Sequence, residues 1–108
     1  MDEKPDKETI KLIKSYLKFL GNHIAIEKSI LFGSRARGDY FITSDIDLIV
    51  VSSDFKSMKF VDRILFMSRY WKSLMNLEVL GYTPEEFERK KNELGIVKQA
   101  VKEGIRIK

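Results

Sequence analysis

Leu31-Phe32-Gly33-Ser34-Arg35-Ala36-Arg37-Gly38-Asp39 runs through Tyr40–Ser44 into Asp45-Ile46-Asp47-Leu48-Ile49-Val50-Val51-Ser52-Ser53, and this stretch decides the fold. The run from Leu48 to Val51 is rich in β-branched residues and reads as a buried strand. Asp45 and Asp47 stand two apart at its leading end, so they share a face, with Cα atoms roughly 6.5–7 Å apart. Ile46 then points into the core while both carboxylates point out. Like charges this close perturb each other's ionisation unless a cation lies between them. Carboxylate oxygens suit a hard ion such as Mg²⁺, which takes one or two protein carboxylates plus substrate phosphates. Two solvated acids at a strand entrance would leave the same pattern, so the pair alone does not fix a function.

Working backward, Ile26–Phe32 reads as a preceding strand that Gly33 breaks where the chain must turn. Ser34 suits a helix N-cap, and Ser34–Arg37 then opens a short helix whose free N–H groups attract an anion. Arg35 and Arg37 add positive charge beside it. A phosphate-friendly turn followed by a metal-friendly carboxylate pair is what metal-assisted phosphoryl or nucleotidyl transfer requires. Competing motifs fail. Gly33 and Gly38 have P-loop spacing, but Asp39-Tyr40 stands where Lys-Ser/Thr is needed. The Asp-X-Asp lacks the further oxygen ligands and the glycine of a calcium loop, since Ile49-Val50 occupies those places.

Gly33-Ser34, ten intervening residues and Asp45-Ile46-Asp47 together resemble the signature of the DNA polymerase β-like nucleotidyltransferase superfamily. The fuller string, Phe32 to Asp39 leading to Ser44-Asp45-Ile46-Asp47-Leu48, is similar to its minimal nucleotidyltransferase branch, small prokaryotic proteins often paired with a helical HEPN-domain partner. The resemblance covers essentially the whole chain. It implies ATP as substrate, two Mg²⁺ ions, and transfer of a nucleoside monophosphate to a hydroxyl. That hydroxyl would be a tyrosine of a HEPN-type toxin, which would make this chain an antitoxin. By the same resemblance Asp45, Asp47 and Glu78 are the catalytic and metal-binding carboxylates, where many relatives have Asp in the third place. Gly33, Ser34, Arg35 and Arg37 would hold the nucleotide. Two further functions stay open: an antitoxin that neutralises its partner by binding alone, and a regulatory ATP-binding module.

The remaining sequence frames that site. At 108 residues the chain is read as one domain, 1–108, burying about two-thirds of its unfolded surface. Twenty Lys and Arg against sixteen Asp and Glu leave +4, which fits a polyanionic ligand such as a nucleoside triphosphate but does not by itself indicate nucleic-acid binding. There is no Cys, hence no disulfide framework and no thiolate metal site. No apolar run approaches the roughly 20 residues of a membrane span. The charged Met1–Glu8 start lacks the apolar core of a signal peptide, so a cytoplasmic location is expected.

Asp6 or Thr9 is expected to cap a first helix to about Leu20, with Ile10, Ile13, Leu17 and Leu20 as its buried stripe. His23, the single histidine, stands in a helix-to-strand connection with no motif around it, so it is read as structural or exposed. Met58–Leu74 reads as one helix, apolar beyond a single stripe. Its second face needs a cover, either another layer of the core, a partner helix or a second copy of the chain. Asn76–Tyr82 reads as a third strand carrying Glu78 among apolar neighbours. Thr83-Pro84-Glu85-Glu86 has the form of a capping box with Pro at the first helical position. A short helix from Ile96 and a terminal strand over Ile105–Ile107 complete an α/β domain, helices packed on a small mixed sheet.

Overall fold

The computed structural model describes residues 4–108; Met1, Asp2 and Glu3, the first part of the charged start, lie outside the described residues. In chain order the elements are α1 (Lys7–Leu20), β1 (Lys28–Phe32), α2 (Ser34–Arg37), β2 (Ile46–Val51), α3 (Phe60–Ser68), β3 (Leu77–Tyr82), α4 (Pro84–Lys90), α5 (Ile96–Glu103) and β4 (Ile105–Arg106), with a 3-10 turn over Ser53–Ser57. The four strands form one mixed sheet in the order β3-β2-β1-β4. β1 pairs antiparallel with β2 and with β4, while β2 and β3 run parallel. The mixed α/β architecture is thus the one the sequence predicts.

Alternation along the strands gives the sheet two faces. One carries Leu31, Ile46, Leu48, Val50 and Val79 into a core with Ile13, Tyr16, Leu17 and Leu20 of α1, Met67 of α3 and Phe55 of the 3-10 turn. Burying each such aliphatic side chain contributes about 1.5–3 kcal/mol, so this layer is the main source of the fold's stability. The opposite face carries Ile30, Ile49, Val51 and Tyr82 against Phe87 of α4 and Val97 and Ala100 of α5. These two helices cover only part of their face, and Phe32 and Leu80 pack at the margin of that second core.

Local chemistry sets the ends of the elements. Asp6 caps α1, its carboxylate accepting from the Thr9 amide at 3.2 Å. Thr83 and Glu86 form the expected capping box, and Pro84 opens α4. Gly33 rather than Ser34 occupies the N-cap of α2, and Ser34 is the first helical residue. A hydroxyl cap needs an extended backbone before the helix. Here the turn demands a positive φ of 77°, which a glycine adopts and a serine resists.

The expected Met58–Leu74 helix is shorter, ending at Ser68. Tyr70 and Trp71 donate backward to the carbonyls of Met67 and Ser68, which tightens the last turn. The Trp71 indole then donates to the Met75 carbonyl at 2.7 Å and folds residues 71–75 back toward β3. The broad apolar face of this segment is divided. Met58, Phe66, Tyr70, Trp71 and Met75 pack on the first core. Val61 and Leu65 stay exposed. His23 lies on this side, stacked on Tyr70 with ring centroids 4.3 Å apart.

Candidate active site

The site forms at the uncovered part of the second sheet face. In the β1/β2 register Phe32 lies opposite Asp47, and in the β2/β3 register Asp47 lies opposite Glu78. Paired residues in adjacent strands share a face, so Phe32, Asp47, Glu78 and Leu80 line one surface. Ile46 and Val79, one step out of phase, are buried in the other core. A cleft of about 380 Å³ opens over this surface, with Ile64 and Ile96 among the walls.

Asp47 is half-buried. Burial pushes its carboxyl up to about 6, and a hydrogen bond and repulsion from Glu78, with further repulsion from Asp45, act in the same direction, opposed by the positive charge of Arg37. Asp45 stands just before β2, and its carboxylate accepts from the Asn76 side chain at 2.9 Å. Asn76 is a site neighbour that the sequence reading missed. Its amide beside an acid carried no signal, since it immediately precedes β3 and only the parallel pairing brings it to Asp45.

Gly33 abuts this pair. A Cβ built at Gly33 would lie 3.2 Å from Cγ of Asp47 and nearer still to its Oδ2. The turn and the carboxylate are therefore in contact across a gap that only glycine leaves open. Ser34 follows, half-buried, and Arg37 extends to the surface, its guanidinium 3.3 Å from Asp39 and 3.4 Å from Glu103. Arg37 is the arginine whose charge Asp47 senses.

Arg35 departs from the expectation that both arginines of the turn face a phosphate. Its side chain is 3 % exposed and its guanidinium points inward to Asp6. It also donates to the carbonyls of Ser44 at 3.0 Å and Ile42 at 3.0 Å. A four-residue helix turns successive side chains by about 100°, so Arg35 and Arg37 cannot share one outlook.

Among the described residues no three His, Cys, Asp or Glu side chains are gathered closely enough to hold a metal ion. The donor chemistry nevertheless fits a hard cation. Asp47 and Glu78 are oxygen donors brought to one level of a parallel strand pair, where like charges favour a cation between them. Asp45, drawn to Asn76, stands apart from that pair.

The model of the nucleotidyltransferase domain family matches residues 10–107. A Methanocaldococcus jannaschii protein described as a "putative protein adenylyltransferase" is 50% identical over 50 residues, 46% of this chain and 45% of the relative. A second protein of that organism with the same description is 35% identical over 66 residues, 58% of this chain and 67% of the relative. The first of these matches thus spans less than half the length of the relative. A crystal structure titled as a "putative nucleotidyltransferase" from Sulfolobus solfataricus superposes with a TM-score of 0.67 at 30% identity, covering 92% of this chain and 78% of that one. Sheet order, Gly33-to-Asp47 contact and family match lead to one conclusion: the chain belongs to the nucleotidyltransferase family, as a minimal nucleotidyltransferase.

Proposed function

We propose that the protein is a metal-dependent protein adenylyltransferase, moving AMP from ATP to a hydroxyl on a partner protein. The observation that carries this reading is the juxtaposition of Asp47, Glu78 and Gly33. Two carboxyl groups at one level of adjacent strands stand against a turn whose close approach leaves no room for a side chain. The printed descriptions of the two Methanocaldococcus relatives support the choice of protein acceptor and of the adenylyl group.

In this reading Gly33 and Ser34 lie along the triphosphate, and Arg37 neutralises charge on the departing pyrophosphate. Asp45, Asp47 and Glu78 would hold Mg²⁺, which when bound supplies charge neutralisation on the phosphates and a more acidic acceptor hydroxyl. The apolar walls from Phe32, Leu80 and Ile96 exclude water from the reacting centre, which strengthens each charge interaction there. A serine or arginine side chain cannot replace the close approach at Gly33, so the backbone is the binding surface.

The acceptor proposed is a tyrosine on a HEPN-type toxin, with this chain as its antitoxin. Incubation with ATP, Mg²⁺ and the product of the adjacent gene, followed by intact-mass measurement, should show one AMP added to the neighbour. An unmodified neighbour under turnover conditions would exclude the protein-acceptor reading. Exposed Val61 and Leu65 on α3 favour a second reading, neutralisation by complex formation without transfer. Asp45→Asn with Asp47→Asn separates the two: neutralisation that survives the double substitution belongs to binding alone.

A further inference from the structure

Among the described residues, Arg35 is the most heavily bonded side chain that the proposed chemistry does not use. Its guanidinium makes an ion pair with Asp6 at the N-cap of α1 and approaches the Thr9 hydroxyl at 3.4 Å. The other edge of the fork donates to Ser44, Ile42 and, at 3.4 Å, Phe41. The Asp6 amide returns a bond to the Arg35 carbonyl at 3.0 Å. The segment before α1 adds a backbone contact. A Cβ at Gly38 would collide with the backbone of Lys4, so this strand of chain lies directly across the end of α2.

One side chain thus joins three parts that are remote in sequence. It grips the segment leading into α1, it belongs to the turn that begins at Gly33, and it holds the carbonyls of the loop that delivers Asp45. The loop itself exposes Phe41 and Ile42, 77 % and 92 % accessible, so apolar burial does not fix its path. What fixes it is the fork of Arg35 and the bond from the Phe41 amide to the Ser44 hydroxyl at 2.9 Å. A planar guanidinium with five donors is suited to hold several carbonyls and a carboxylate at once, which an ammonium is not.

We infer that Arg35, paired with Asp6, is a positioning residue that sets the distance between the Gly33-Ser34 turn and the Asp45 carboxylate, while strand register sets that to Asp47. This role rests on the nucleotidyltransferase reading of that site. It touches no substrate and acts through the two ends of the ten-residue spacer. Misplacement of binding groups by about an ångström costs on the order of 100-fold in productive geometry, so a small loosening here has a large effect on ligand.

The test uses the full chain with Arg35→Lys, which keeps the charge but loses the fork, and Asp6→Asn, which keeps a capping side chain but removes the counter-charge. Hydrogen exchange is read at residues 39–46 and, as a reference, at α4 and α5; binding is read with a fluorescent ATP analogue and Mg²⁺. The expected result is faster exchange confined to 39–46 in both variants and roughly 10- to 100-fold weaker nucleotide binding. Should Arg35→Lys not fold, Asp6→Asn supplies both measurements. Faster exchange with unaltered nucleotide affinity would overturn the positioning role, as would unaltered exchange at 39–46. A wild-type chain that binds no nucleotide would overturn the functional reading, and the positioning role along with it.

Discussion

Gly33→Ala is the most informative single substitution, because it tests the contact between the turn and the carboxylate directly. Gly33 has φ 77° and ψ −162°, a region that is essentially glycine's alone. Holding alanine there costs about 1–3 kcal/mol of backbone strain. The new methyl would also meet Cγ of Asp47 at 3.2 Å and the Oδ2 beyond it at less, so the carboxylate must leave its rotamer at a further cost of about 0.5–1.5 kcal/mol. The sum, about 2–4 kcal/mol, corresponds to a fall of roughly 10–25 °C in melting temperature for a domain near this size. The two parts can be separated. In an Asp47→Ala background the methyl no longer meets a carboxylate, so only the backbone part persists. Urea unfolding of the four chains in the cycle should therefore give a coupling of about 1 kcal/mol between positions 33 and 47. A total loss under about 1 kcal/mol, or a loss identical with and without the Asp47 side chain, would refute the proposed contact.

Three further outcomes follow from the packing. Gly81→Ala places a methyl 2.8 Å from the Phe55 ring and 2.9 Å from the Met67 terminal carbon, and the overpacking should cost about 1–3 kcal/mol in chemical denaturation. Tyr16→Phe removes the phenol that donates to the Met67 carbonyl at 2.7 Å; that carbonyl keeps its bond from the Tyr70 amide, so the lost buried hydrogen bond should cost about 0.5–1.5 kcal/mol by the same assay. The hydrogen bond from Arg63 holds the Glu86 carboxyl below its ordinary 4.5, against the opposing effect of burial and with help from the Thr83 cap. A depressed carboxylate stabilises the fold above its unfolded value and loses that contribution as pH falls through the folded one. Thermal melts should show wild type losing stability on acidification below about pH 4.5, with Glu86→Gln less stable at pH 7 and flatter in acid.

Much of this molecule was legible in its residues because local chemistry decides it. The capping box at Thr83-Pro84-Glu85-Glu86, the stripe of α1 and the break at Gly33 each depend on neighbours within four positions. The family resemblance was legible too, since Gly33-Ser34 and Asp45-Ile46-Asp47 are both present at a fixed spacing of ten residues. What could not be read depends on partners far along the chain. Arg35 and Arg37 flank the same alanine in sequence, and it is Asp6 and the carbonyls of Ile42 and Ser44, reached from other segments, that receive the one turned inward. The end of α3 at Ser68 is set by an indole-to-carbonyl bond across residues 71–75, in a stretch whose apolar periodicity continues unbroken.

The candidate site itself is a product of strand register more than of any one motif. Pairing has a period of two, so a slip of one residue between β1 and β2 would set Phe32 opposite a core residue and carry Gly33 away from Asp47. The same slip between β2 and β3 would leave Glu78 opposite a residue that faces the other core. The register is enforced from the far side of the sheet, where Ile46, Leu48, Val50 and Val79 must all reach the layer beneath α1 and α3. Residues with no chemistry of their own thus fix the position of those that have it. Parallel pairing matters equally, because it brings the leading ends of β2 and β3 to the same edge and so sets Asn76 beside Asp45 and Glu78 beside Asp47. An antiparallel β3 would send Glu78 to the opposite end of the sheet. The acid pair, in contact with Gly33, is the consequence of a hydrophobic layer that admits only one alignment.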